Sequence, residues 1–216
     1  MRVRGRGRSG FTLIEVVVVL AIVALLAAIL TPLLLKYLDD SKIGRAKNEV
    51  LVLSGAILSF NKDTGLWPVY NAGNPSGTPA TSAGTIKTLF TSDGSHATLS
   101  TSPTTIESTW TDETTANNFD NVENHLAVNT PKGSTTNTYR TTGPFAWKGP
   151  YQVGITADPW GTKYYANVQY FQPGAANNIV WVLSAGPNRQ IETSFTQSAN
   201  TNSGSPWGDD LAFRLK

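Results

Sequence analysis

The sequence predicts an α+β protein. One long N-terminal helix, a membrane-spanning half followed by an amphipathic half, packs on a small C-terminal head with an antiparallel sheet. Three observations predict this. Residues 16–35 are apolar apart from Thr31 and Pro32. Residues 43–60 carry apolar side chains at helical spacing. Beyond residue 63 the texture turns to Gly, Pro, Ser, Thr and Asn, broken by aromatic clusters and short β-rich runs.

The elements follow in chain order. Residues 1–10 form a short basic leader with Arg2, Arg4, Arg6 and Arg8. The apolar half of the helix covers 11–35. Its run 16–35, twenty residues at 1.5 Å each, reaches about 30 Å, the hydrocarbon thickness of a bilayer. The arginine-rich end stays cytoplasmic by the positive-inside tendency, and the rest of the chain is exported. A cleaved secretory signal fits the basic start, but the run is long and Ala21, Ala24, Ala27 and Ala28 never fall two apart. A plain single-span anchor explains the length. It leaves Glu15 unexplained, because an intramembrane carboxylate costs a few kcal/mol or more unless paired.

Residues 36–62 form the amphipathic half. Ile43, Ala46, Val50, Leu53, Ile57 and Phe60 make one apolar stripe, the face for the head. The helix is expected from about Phe11 to Asn61. Pro32 lacks the N–H for one helical bond and invites a kink. Gly65 suits a left-handed cap, and Pro68 blocks continuation.

The head covers 63–216. Residues 71–144 read as a variable Ser/Thr/Asn-rich surface, with Thr85–Phe90 and Asn118–Leu126 as short helical pieces and the rest loop or short strand. No Asn-x-Ser/Thr sequon occurs there. Order returns over 145–216. Asp158-Pro159 opens a turn, and Trp147, Tyr151 and Trp160 are placed to pack on the long helix. Strands are expected at Lys163–Tyr170 and Asn178–Ser184, antiparallel across the Gln172–Asn177 turn region.

Composition excludes several function classes. The chain has 216 residues and no cysteine, which removes thiol catalysis, zinc ribbons and disulfide staples. The net charge is +2, but without the first ten residues thirteen basic residues face fifteen acidic ones, a balance of −2. No nucleic acid is expected as a partner. No catalytic constellation is visible: His96 and His125 stand in polar stretches and read as solvent-facing.

Gly10-Phe11-Thr12-Leu13-Ile14-Glu15, after a basic leader and before an apolar helix, resembles the processing site of the type IV pilin and pseudopilin family. Trp147-Lys148-Gly149-Pro150-Tyr151 followed by Asp158-Pro159-Trp160-Gly161 is similar to the head of major pseudopilins of type II secretion. The resemblance implies cleavage after Gly10 by a prepilin peptidase, N-methylation of Phe11, and a role for Glu15 in attracting the terminal amine of a neighbouring subunit. It implies a helix that unwinds locally near Pro32 on assembly, with a static kink as the alternative. It also implies a structural subunit of a helical periplasmic filament, the type II secretion pseudopilus, anchored in membrane lipid at the bacterial inner membrane. Its partners would be identical subunits, minor pseudopilins and an inner-membrane assembly platform. The alternatives are a surface type IV pilin for adhesion, motility or DNA uptake, and a membrane-anchored binding module. Major pseudopilins carry a Ca2+ loop, and Asn188, Glu192, Asp209 and Asp210 are its counterparts by position. Oxygen ligands near turns suit calcium. The bland reading of the same residues is an Asx-type turn and a solvated acidic pair. The family usually has an acidic residue where Asn188 stands, and Thr193 to Gly208 is a long insertion.

Overall fold

A computed structural model describes residues 10–69, 86–102, 105–115, 118–171, 177–200 and 204–216. The chain divides into two compact units, Met1–Ser41 and Lys42–Lys216. The leader arginines, most of the Gln172–Asn177 turn and part of the 71–144 region lie outside the described residues.

Helix α1 spans Leu13–Thr64. It runs on through Pro32, whose ring leaves the Ala28 carbonyl without an amide from that position. One residue earlier, Thr31 Oγ1 donates to the Ala27 carbonyl at 2.7 Å. The helix ends at Gly65, with φ at +67°, and the Gly65 N–H donates to the Asn61 carbonyl at 2.8 Å. Thr64 Oγ1 also donates back to the Phe60 carbonyl, so the helix is three residues longer than the Asn61 end expected from sequence.

In the second unit the expected stripe is the buried face of α1. Ala46, Val50, Leu53, Ile57 and Phe60 are all buried, and Ile43 is half-buried. They pack on a five-stranded sheet. Its strands are β1 (Thr88–Phe90), β3 (Phe119–Asn121), β4 (Tyr164–Ala166), β5 (Trp181–Ser184) and β7 (Leu211–Arg214), in the order β3-β1-β4-β5-β7. A second small sheet pairs β2 (Thr98–Leu99) with β6 (Gln190–Ile191) in parallel. A short helix, α2 (Val122–Leu126), follows β3 directly.

Several expectations are corrected here. The main sheet is mixed, because β1 and β3 run parallel while β1–β4, β4–β5 and β5–β7 are antiparallel. Residues 88–90, expected as helix, are a central strand buried at every position; pairing on both edges overrides local preference. Asn118–Leu126 splits into strand and helix at Asn121. The strand expected to reach Tyr170 stops at Ala166. There the buried Asn167 side chain accepts the Trp181 N–H at 2.6 Å and donates to the Ile179 and Phe195 carbonyls, which replaces ladder bonds and starts a 3-10 turn at Val168–Phe171. Residues 71–144 are not merely surface: Ile106, Trp110, Leu126 and Tyr139 belong to the hydrophobic core.

The Asp158 turn forms as expected. Its carboxylate accepts the Trp160 and Thr162 N–H groups at 3.0 and 2.8 Å, and hydroxyls from Thr162 and Ser184. Tyr151 meets Phe60 edge-on at 5.7 Å between ring centres, and Trp147 packs on the core, whereas the core does not include Trp160.

Candidate functional site

The first site is the start of α1. Gly10 and Phe11 precede the helix, and Phe11 is 88% exposed. Thr12 and Glu15 close on each other. The Thr12 N–H and hydroxyl both donate to Glu15 Oε2, at 2.8 and 2.7 Å, and the Glu15 N–H donates to Thr12 Oγ1 at 3.4 Å. This is a reciprocal capping box, which satisfies amides that have no partner within the helix. Sequence reasoning gave Glu15 only an intermolecular role and overlooked Thr12. The signal was present: a threonine three residues before a glutamate at the head of an apolar run. Among the described residues Glu15 Oε1 accepts no hydrogen bond. The helix behind this cap is long and apolar enough to cross a membrane.

The second site lies at the base of the long insertion. Asn188, Glu192, Asp209 and Asp210, distant in sequence, meet there. Asp209 Oδ2 accepts the Asn188 N–H at 3.1 Å, and Glu192 Oε2 accepts the Asp209 N–H at 2.9 Å. Asp210 Oδ2 accepts the Glu192 and Thr193 N–H groups at 2.9 and 2.7 Å. Asp209 Oδ1 and Asp210 Oδ1 are buried without a hydrogen-bond partner. Burial, with the neighbouring Glu192 carboxylate adding to it, raises the pKa of Asp209 and pushes Asp210 up to about 7. A Cβ on Gly208 would run into the Glu192 carboxylate, and one on Gly186 into the Asp209 carbonyl, so both glycines permit the close approach. The Asn188 side chain accepts the Gln190 N–H at 2.7 Å, the Asx-type turn. Among the described residues, no three His, Cys, Asp or Glu side chains converge on one point as a ready metal cage. The cluster leaves two carboxylate oxygens without a donor, and Asn188 supports Asp209 through its backbone N–H.

The two histidines are not solvent-facing. His125 is fully buried. Its Nδ1 lies 2.6 Å from the Tyr139 hydroxyl, and its Nε2 lies 3.0 Å from Asp120 Oδ2. This row of Tyr, His and Asp has the residue types of a catalytic relay, but it is sealed from substrate. His96 is half-buried between the Tyr165 hydroxyl at 3.1 Å and Glu113 at 2.7 Å.

With this geometry in hand, comparison with known proteins is informative. The prokaryotic N-terminal methylation motif matches residues 5–31. The chain is therefore type IV pilin-like at its N-terminal segment. It is 40% identical over 65 residues to the fimbrial protein EcpC of Eikenella corrodens, covering 30% of this chain and 42% of that one. It is 32% identical over 80 residues to the type II secretion system core protein G of Pseudomonas aeruginosa, covering 34% of this chain and 56% of that one. The chain thus spans about half the length of the curated relatives it matches. No solved structure matches.

Proposed function

We propose that this chain is the structural subunit of a type II secretion pseudopilus. The observation that carries the reading is the coincidence, in one helix start, of the methylation motif, Phe11, Glu15 and an apolar segment of membrane length. In this reading a prepilin peptidase cuts after Gly10 and Phe11 is methylated. The subunit waits in the inner membrane with its head in the periplasm. Each Glu15 then offers Oε1 to the terminal amine of a neighbour, so that two charges costly in lipid offset each other. Assembly would use identical subunits, minor pseudopilins and an inner-membrane platform. The likeness to a fimbrial protein supports a second reading, a surface type IV pilin. No catalytic role is assigned. Intact mass of the protein from membranes of its native host tests the proposal: a chain beginning at Phe11 with one extra methyl is expected. An uncleaved chain beside an active peptidase would favour a plain anchored binding module.

The acidic cradle is part of the same proposal. Asp209 and Asp210 would hold a Ca2+ ion, with Glu192 beside them and Asn188 fixing Asp209 through its N–H. A bound cation there would tie the base of the insertion together in a chain without disulfides, adding its binding energy to folding. Thermal melts with calcium and with a chelator should differ in midpoint; coincident melts would exclude a structural ion.

A further inference from the structure

We propose that the acidic cradle controls the neighbouring segment from Thr98 to Trp110, so that a bound divalent cation fixes this part of the head and its loss releases it. The inference rests on the calcium reading above and names what the ion would regulate. The two places meet at Thr193, which is fully buried. Its N–H donates to Asp210 Oδ2 at 2.7 Å, on the cradle side. Its carbonyl accepts the Trp110 Nε1–H at 2.9 Å, on the side of the segment. Its hydroxyl accepts the Trp207 N–H at 3.0 Å, which fastens the far end of the insertion to the same point.

The segment takes its place from the chain around Thr193. Thr98–Leu99 pair with Gln190–Ile191, and the Ser100 N–H donates to the Ile191 carbonyl. The Glu107 carboxylate accepts the Phe195 N–H at 2.9 Å and the hydroxyls of Ser194 and Thr196 at 2.8 and 2.6 Å. The Trp110 ring meets Phe195 edge-on at 5.0 Å between centres. Among the described residues, a single hydrogen bond ties the segment to the main sheet, from Thr88 Oγ1 to the Thr109 carbonyl. The cradle end of this linkage is electrostatically unbalanced. Asp210 is 5% exposed, and one oxygen of each aspartate has no donor. Glu192 acts on both as a like charge, and the ion pairs among the described residues include none of the three. Their mutual repulsion works against the carboxylate that holds Thr193. A divalent cation would cancel that repulsion and tighten the bond from Thr193 to Asp210. Coupling is reciprocal, so a held segment raises the affinity for the cation by the same factor.

Hydrogen exchange and calorimetric titration of the full-length protein in detergent, with calcium chloride or with a chelator, test this. Calcium is expected to slow amide exchange over residues 98–102 and 190–195. Trp110→Phe removes the indole donor to Thr193 and leaves every carboxylate of the cradle in place. It is expected to weaken calcium binding by about fivefold or more, the lower end of usual coupling. Glu107→Gln, which takes one acceptor oxygen from the same contact, carries the same readout if the tryptophan variant does not fold. Calcium that binds without slowing exchange over 98–102 would overturn the control and leave the calcium reading intact. A variant that loses stability equally with calcium and with chelator, at unchanged affinity, would mark the contact as structural only and overturn it as well. No calcium binding by the unmodified chain would remove both.

Discussion

Asp158 is 4% exposed, yet four donors from three residues converge on its carboxylate. Two of them come from its own turn backbone, which the Asp-Pro-x-Gly order made legible. Ser184, on β5, was not legible, because no local pattern links it to position 158. Asp158→Ala would leave those buried donors unpaired and should cost roughly 3 kcal/mol, read from a denaturation midpoint. Asp120 behaves differently. Burial opposes its ionisation, but the His125 ring and the donors of Lys132 and Asn124 together hold its pKa below the ordinary 3.8. A carboxylate lowered in the folded state contributes stability above its ordinary pKa, and that contribution is lost as pH falls through the folded value. Acid titration of stability should therefore steepen below about pH 4, and Asp120→Asn should flatten that limb. His125 was misread for a simple reason: the polar residues around it in sequence, Asn124 among them, are spent on hydrogen bonds within the fold.

Periodicity decided which elements could be read. The stripe from Ala46 to Phe60 repeats over several turns, and every member is buried. Phe60 is fully buried and edge-on to both Tyr139 and Tyr151. Phe60→Ala should destabilise the head by roughly 3–5 kcal/mol, measured by chemical denaturation, because the surrounding rings cannot collapse into the gap. The strands were harder. β1, β3 and β4 have three residues each, too few for alternation to register, and β1 and β4 are buried at every position. Such runs cannot be told from buried helix by pattern alone. Asn167 ends β4 through contacts to residues 12 to 28 positions away, information that no local window contains.

At the scale of the molecule, the anchor and the head were separable in sequence because they answer to different solvents. The acidic cradle was legible as a set of residues, since Asn188, Glu192, Asp209 and Asp210 do meet. Its division of labour, with Asn188 spent on a turn and two oxygens left orphaned, was not. Thr12 shows the reverse case: its motif was visible and its partner already named. Glu15 serves its own helix cap in the single chain and, in the proposed assembly, a neighbour as well. Glu15→Ala protein should still insert in membranes but form no filaments, checked by membrane fractionation and electron microscopy. Normal filaments from that variant would withdraw the intermolecular role and leave only the cap.

The order of the strands has a further consequence for when the head can fold. β7, Leu211–Arg214, is the last strand in sequence, and it lies on β5 in full register from Trp181–Arg214 to Ser184–Leu211. β1 likewise waits for β4, more than seventy residues downstream. A ribosome adds residues one by one, and this sheet cannot be completed until residue 214 has emerged. Such non-local pairing makes folding late and slow. In the proposed reading, where the head crosses a membrane before it folds, that delay would help keep the chain in a translocatable state.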